Sequence, residues 1–105
     1  MLSVDEITEI LKRDSMKDAV LIGTEDNRKD YYPAIIDCDE KKGVVTYDYE
    51  LLARCFADEF FDPSDPSVSY EQAMSDAYEW VDYNIIRGIP YLGEHAPIIY
   101  TKEDD

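Results

Sequence analysis

The chain has 105 residues, with 25 acidic against 10 basic side chains and a formal net charge of −15 at pH 7. That length makes one domain, residues 1–105, large enough to bury a core without disulfides or metals. That charge excludes direct nucleic-acid binding through phosphates and adhesion to an anionic membrane, and no apolar run approaches membrane-spanning length.

The charge is distributed unevenly. Residues 1–42 carry eleven acids and seven bases, whereas residues 43–101 carry eleven acids against only Arg54 and Arg87. Met1-Leu2-Ser3 leads straight into an amphipathic helix and not into a signal peptide, so a cytoplasmic protein is expected. Cys38 and Cys55 then read as free, mostly buried thiols.

Ser3-Val4-Asp5-Glu6 has the form of a capping box, and Val4, Ile7, Ile10 and Leu11 make the apolar face of a first helix ending near Asp14. Glu9 and Arg13 are spaced as an i,i+4 ion pair. Ala19–Thr24 reads as a strand, with Glu25–Asp30 a loop after it. Tyr31–Cys38 and Val44–Tyr49 form the clearest strand pair. Between them Glu40-Lys41-Lys42-Gly43 suits a type I turn with a left-handed glycine. Val45, Tyr47 and Tyr49 face one side of that pair, and Val44, Thr46 and Asp48 the other.

Asp48 can cap a helix from about Tyr49 to Phe61 with the stripe Leu52, Cys55, Phe56 and Phe60. Arg54 on its outer side could serve both Glu50 and Asp58. Two prolines in Asp62–Ser67 stop that helix. Ser69 and Gln72 suggest a second capping box. Tyr70, Ala73, Met74, Ala77, Tyr78, Val81 and Ile85 then form one apolar face, expected to lie against the sheet with Met74, Ala77, Val81 and Ile85 as contacts. Gly88 is expected to end this helix, with Arg87 complementing its dipole and Pro90 forbidding resumption. Pro97–Thr101 is a last strand, at an edge or between two others, with Ile98 and Ile99 covered on at least one face. The expected class is α+β: a small, mainly antiparallel sheet of about four strands with helices on one face, in the order α-β-β-β-α-α-β.

No constellation of catalytic residues stands out. Asp37-x-Asp39 resembles the opening of a calcium loop, but lysines occupy the next two required positions. Cys38, Cys55 and His95 lack paired zinc spacing. His95 is the only histidine and no nucleophile elbow accompanies it, so it reads as a structural or exposed loop residue. No glycine-rich phosphate loop is present. The expectation is a chain without catalytic residues, metal or cofactor.

What remains is acid and aromatic. Glu71, Glu79 and Asp82 fall on the polar side of the helix that starts at Ser69, with nothing basic on the same turns. A tyrosine-rich core edge accounts for the nine tyrosines. It does not account for the one-sided charge, since solubility needs far less than −15. Asp58, Asp62, Glu71, Glu79 and Asp82 are therefore the candidate partner contacts, with Tyr83 as an aromatic anchor.

The stretch Asp82-Tyr83-Asn84-x-Ile86-Arg87-x-x-Pro90-Tyr91-x-Gly93-Glu94-x-Ala96-Pro97-Ile98-Ile99, with Val45-x-Tyr47-Asp48-Tyr49, resembles a group of small acidic bacterial proteins, some encoded by phages or mobile elements. The likeness covers residues 34–100 and is weakest over 49–61 and the loop that follows. It brings no catalytic residue with it. In composition the chain is also similar to phage anti-defence inhibitors of the anti-CRISPR and anti-restriction type. That similarity implies a non-enzymatic inhibitor whose acidic surface docks on a basic, nucleic-acid-binding partner. The alternative is a bacterial accessory or regulatory protein with a specific protein partner and no charge mimicry.

Overall fold

The computed structural model describes residues 2–102; Met1 and the last three acids of the C-terminal run lie outside the described residues. The fold is α+β. Helix α1 spans Val4–Leu11, strand β1 Ile35–Asp39, strand β2 Val44–Asp48, helix α2 Tyr49–Phe60, helix α3 Tyr70–Asn84 and strand β3 Ile98–Tyr100. The sheet has three strands in the order β1-β2-β3. β1 and β2 are antiparallel, but β2 and β3 are parallel. Both the expected strand count and the mainly antiparallel character are thus corrected. Residues 49–97, carrying α2 and α3, form the long crossover that a parallel pairing requires.

Ala19–Thr24 is not a strand. Its N–H groups are met by single partners instead of a ladder: Val20 N donates to His95 O at 3.1 Å, Ile22 N to Tyr47 Oη at 3.1 Å and Thr24 N to Asn27 Oδ1 at 2.7 Å. Gly23 has φ +100°, and an added Cβ would lie 2.6 Å from Asn27 Oδ1, so the segment turns where a strand would continue. Residues Arg28–Ala34 form a 3₁₀ turn, so the strand expected from Tyr31 starts only at Ile35. Pro33 removes a ladder donor at that point.

The hairpin follows the expected chemistry. Gly43 has φ +65° and its N–H donates to Asp39 O at 2.8 Å. β2 is central and nearly wholly covered, with Val45 and Tyr47 at 0% exposure and Val44 also buried. β3 takes the edge. Ile99 is half-buried, but Ile98 is 52% and Tyr100 50% exposed, so the expected coverage reaches one face only.

The caps act where sequence places them, with one exception. Ser3 and Glu6 complete their box, with Glu6 N donating to Ser3 Oγ at 3.1 Å and Ser3 N to Glu6 Oε1 at 3.3 Å. Asp48 Oδ1 accepts Leu51 N at 2.9 Å. Ser69 Oγ accepts Gln72 N at 3.1 Å, but the Gln72 amide turns away and donates to Asp76 Oδ1 at 3.0 Å, leaving that box half made. Arg13 does not pair with Glu9. It reaches Glu40 at 2.9 Å, which also accepts Ser15 Oγ at 3.0 Å, and so ties the hairpin turn to the chain after α1.

α3 packs on α2 and not on the sheet, which corrects the expected docking. Ala53 and Ala57 of α2 and Ala73, Ala77 and Val81 of α3 are fully buried. Small side chains let two helix axes approach closely, which favours this contact over one with the sheet. α3 also stops earlier than its pattern suggests. It ends at Asn84, and Ile86–Tyr91 tightens into a 3₁₀ turn that contains both Gly88 and Pro90. Gly88 is therefore no left-handed cap. Arg87 does not cap the helix dipole; its guanidinium sits over the Tyr83 ring, 4.4 Å from the centroid. One core cluster joins α1, the β1–β2 hairpin and both long helices. No helix among the described residues is long and apolar enough to cross a membrane.

Candidate functional site

The six expected contact residues all lie on the surface, but they do not form one ridge. Asp58 in α2 accepts the Tyr70 hydroxyl at 3.0 Å, while Arg54 pairs with Glu50 at 3.0 Å, so the arginine does not bridge two carboxylates. Asp62 lies in the loop after α2. It accepts Ser64 Oγ at 2.6 Å and Ser64 N at 2.9 Å, and these bonds, the side-chain one first, hold its pKa below the usual aspartate value. Glu71 stands exposed in the first turn of α3, where it suits the helix dipole. Asp82 is not a free ridge charge: it accepts the Tyr49 hydroxyl at 2.9 Å. That bond and, above all, burial push the Tyr49 hydroxyl up to about 12.

Glu79 and Tyr83 do come together. They share a shallow hollow with Asp76, Trp80 and Asn84. Tyr83 is 62% exposed, but one face of its ring carries Arg87. Asp76 and Trp80 were not among the sequence candidates. Asp76 is simply another acid among many. Trp80 carries a readable signal, since a tryptophan outside the apolar stripe of an amphipathic helix has to meet something else.

What it meets is a cavity. Trp80 and Asn84 form the shared wall between the hollow and a larger cavity of about 500 Å³. Its walls come from the irregular segment 20–24, from Asn27 and Tyr31 beyond it, from the ends of α2 and α3, from the 3₁₀ turn after α3 and from Pro97. An aromatic run lines one side. Tyr31 and Phe56 have ring centroids 4.7 Å apart, Phe56 and Trp80 4.4 Å, and Phe60 and Trp80 6.5 Å. Phe60 and Trp80 remain 38% and 39% exposed. Their outer edges therefore stay open to an incoming group. The volume falls within the range that holds small ligands or anchor side chains.

The polar groups of the cavity are few. Glu59 Oε1 accepts the Tyr31 hydroxyl at 2.9 Å; burial first, and then this carboxylate, raise the pKa of Tyr31. Asn27 Oδ1 accepts Thr24 N at 2.7 Å and Thr24 Oγ1 at 3.2 Å, and Asn84 Nδ2 donates to Trp80 O at 3.0 Å. Among the described residues no lysine, arginine or histidine lines the cavity.

The remaining chemical candidates are structural in their contacts. His95 Nδ1 lies 3.0 Å from Gly43 O, and a carbonyl only accepts, so Nδ1 carries the proton and clamps the hairpin turn. Cys38 and Cys55 are free and half-buried. Burial, followed by the charges of Asp58 and Glu59, pushes the Cys55 thiol up to about 11, which keeps it protonated and a poor nucleophile near neutrality. Among the described residues no group of three metal-ligating side chains converges.

Comparisons with protein-family models, with curated proteins and with solved structures found no match to this chain.

Proposed function

We propose that the chain is a non-enzymatic binding protein that sets the acidic, aromatic side of α3 against a basic surface of a protein partner. The observation that carries this reading is the shared wall: the hollow holding Asp76, Glu79 and Tyr83 and the apolar cavity meet at Trp80. Charge on one side of that tryptophan steers association, and apolar depth on the other supplies the contact area that steering alone lacks. Partner surfaces of this sign include those that otherwise hold nucleic-acid phosphates. Occupying one would make the chain an inhibitor by exclusion, in the manner of phage anti-defence proteins.

The cavity also favours a second reading, an accessory or regulatory protein whose partner binds through apolar contacts without charge mimicry. Ionic strength separates the two. Exposed charges are screened over about 8 Å at physiological salt. Capture of host proteins at low and high salt, by the parent chain and by a variant carrying Asp76→Lys and Glu79→Lys, decides between them. Loss of the partner in both the high-salt and the reversed-charge arm supports electrostatic docking. Retention in both supports the accessory reading.

A further inference from the structure

We propose that the 500 Å³ cavity receives a bulky apolar side chain that is flanked in the partner by lysine or arginine. The inference rests on the basic-partner reading for the sign of the flanking residues, and on the cavity for the anchor. Three features of the cavity select this occupant.

The first is the wall. Phe60, Trp80 and Leu92 contribute its exposed apolar surface, backed by the buried Tyr31, Phe56 and Ile22, so the interior suits an aromatic or branched aliphatic group. The second is the sign of the polar groups. Glu59 is the one charged side chain in the lining among the described residues, so an anionic occupant such as a fatty acid or a phosphate ester finds repulsion and no counter-charge. The third is continuity. Trp80 is shared with the hollow lined by Asp76 and Glu79, so a chain whose apolar residue enters the cavity lays its neighbours over carboxylates. Lysine and arginine there gain both these charges and a π face, Trp80 being 39% exposed.

Trp80 is the only tryptophan in the chain, so its emission, excited selectively over tyrosine, reports the cavity wall directly. The probes are capped pentapeptides: phenylalanine between two pairs of lysines, glycine between the same lysines, and phenylalanine between two pairs of glutamates. The lysine–phenylalanine peptide should shift Trp80 emission saturably. The glycine peptide should bind at least about tenfold more weakly, as expected for an unburied ring, and the glutamate peptide should give no saturable shift.

Two variants locate the effect. Glu59→Gln keeps an acceptor for Tyr31 and removes the charge, and should weaken the lysine–phenylalanine peptide severalfold. Gly88→Leu places a side chain at the cavity edge, where an added Cβ meets nothing within 4 Å and φ is not in the left-handed region, so it should abolish the shift without lowering the melting temperature.

Equal affinity for the glycine and phenylalanine peptides would overturn the anchor and leave the charge reading intact. Equal affinity for the glutamate and lysine forms would overturn the basic flank and assign the cavity to uncharged apolar ligands. Self-association of the free chain, seen by sedimentation together with the same emission shift, would assign it to a second copy. No response to any peptide would overturn the anchor, while the salt and charge-reversal experiment would still judge docking independently.

Discussion

The buried hydroxyl of Tyr47, in the central strand β2, accepts the backbone N–H of Ile22 at 3.1 Å. The tyrosine is fully buried, and burial, opposed by that bond, pushes its hydroxyl up to about 12. This bond fixes a segment with no ladder of its own, residues 20–24, against the sheet. The same segment is one wall of the cavity. Tyr47→Phe therefore acts at two levels. It leaves the Ile22 N–H buried without a partner, which costs about 1–3 kcal/mol. It also frees the cavity wall, so Trp80 emission in the folded protein should shift. Denaturant unfolding and the native emission spectrum check both. A variant as stable as the parent would show that Ile22 finds another acceptor.

The glycines give a paired test. At Gly23 an added Cβ would lie 2.6 Å from Asn27 Oδ1 and 2.9 Å from Tyr31 Cε2, at a φ of +100°. Gly23→Ala should cost about 1–3 kcal/mol through strain and displacement of the asparagine. At Gly88 the space is open and φ is ordinary. Gly88→Ala should be neutral or stabilising by about 0.4–1 kcal/mol, because it restricts the unfolded chain. Thermal melting of the two variants side by side reads the contrast.

Alkaline pH should unfold this domain earlier than its charge alone would. The folded state raises Tyr47 and Tyr49 from 10.0 to about 12, and Cys55 from 9.0 to about 11, with burial the first cause in each. A raised pKa means that the unfolded chain releases its proton first. The stability these groups contribute is complete below their unfolded values and is lost as pH climbs through the folded ones. The loss should begin near pH 9 with Cys55 and steepen between 10 and 12 with the tyrosines. Unfolding free energy measured across that range should fall, and Tyr47→Phe should flatten the upper part of the curve. An unchanged slope in that variant would remove Tyr47 from the account.

Much of the fold was legible because its signals are local. Ser3, Asp48 and Ser69 stand before apolar periods, and Gly43 follows a turn sequence; each acts through bonds spanning three or four residues. The reading failed where the deciding partner is distant in sequence. Ala19–Thr24 has strand composition, but its N–H groups find Tyr47, Asn27 and His95, so it pairs with neither edge of the sheet. α3 carries a face that would suit a sheet, yet alanines on both helices make α2 the closer partner. The cavity was invisible for the same reason: Ile22, Phe60, Trp80 and Leu92 belong to four separate stretches, and only the crossover between β2 and β3 brings them together. Of the site, the exposure of the acids was readable, whereas their division among Tyr49, Tyr70, Ser64 and open solvent was not.

That division sets the last prediction. Glu71, Glu79 and Asp82 look equivalent on a helical wheel, but Asp82 holds the Tyr49 hydroxyl at 2.9 Å. Asp82→Lys removes that acceptor and should destabilise by about 0.5–1.5 kcal/mol, the usual net worth of such a bond. Asp76 and Glu79 line the hollow beside Trp80, and Asp76 holds only the exposed Gln72 amide. Reversing both to lysine moves the net charge four units from −15 and should change stability by no more than about 0.5 kcal/mol per site. If the acidic face steers association, the association rate with a basic partner should drop at least about tenfold at low salt and converge on the parent at high salt, with dissociation little altered. Surface-immobilised kinetics at two ionic strengths separate these outcomes. A rate that stays the same at low salt, in a variant that melts like the parent, would remove Asp76 and Glu79 from the docking face and leave the apolar cavity as the element that recognises the partner.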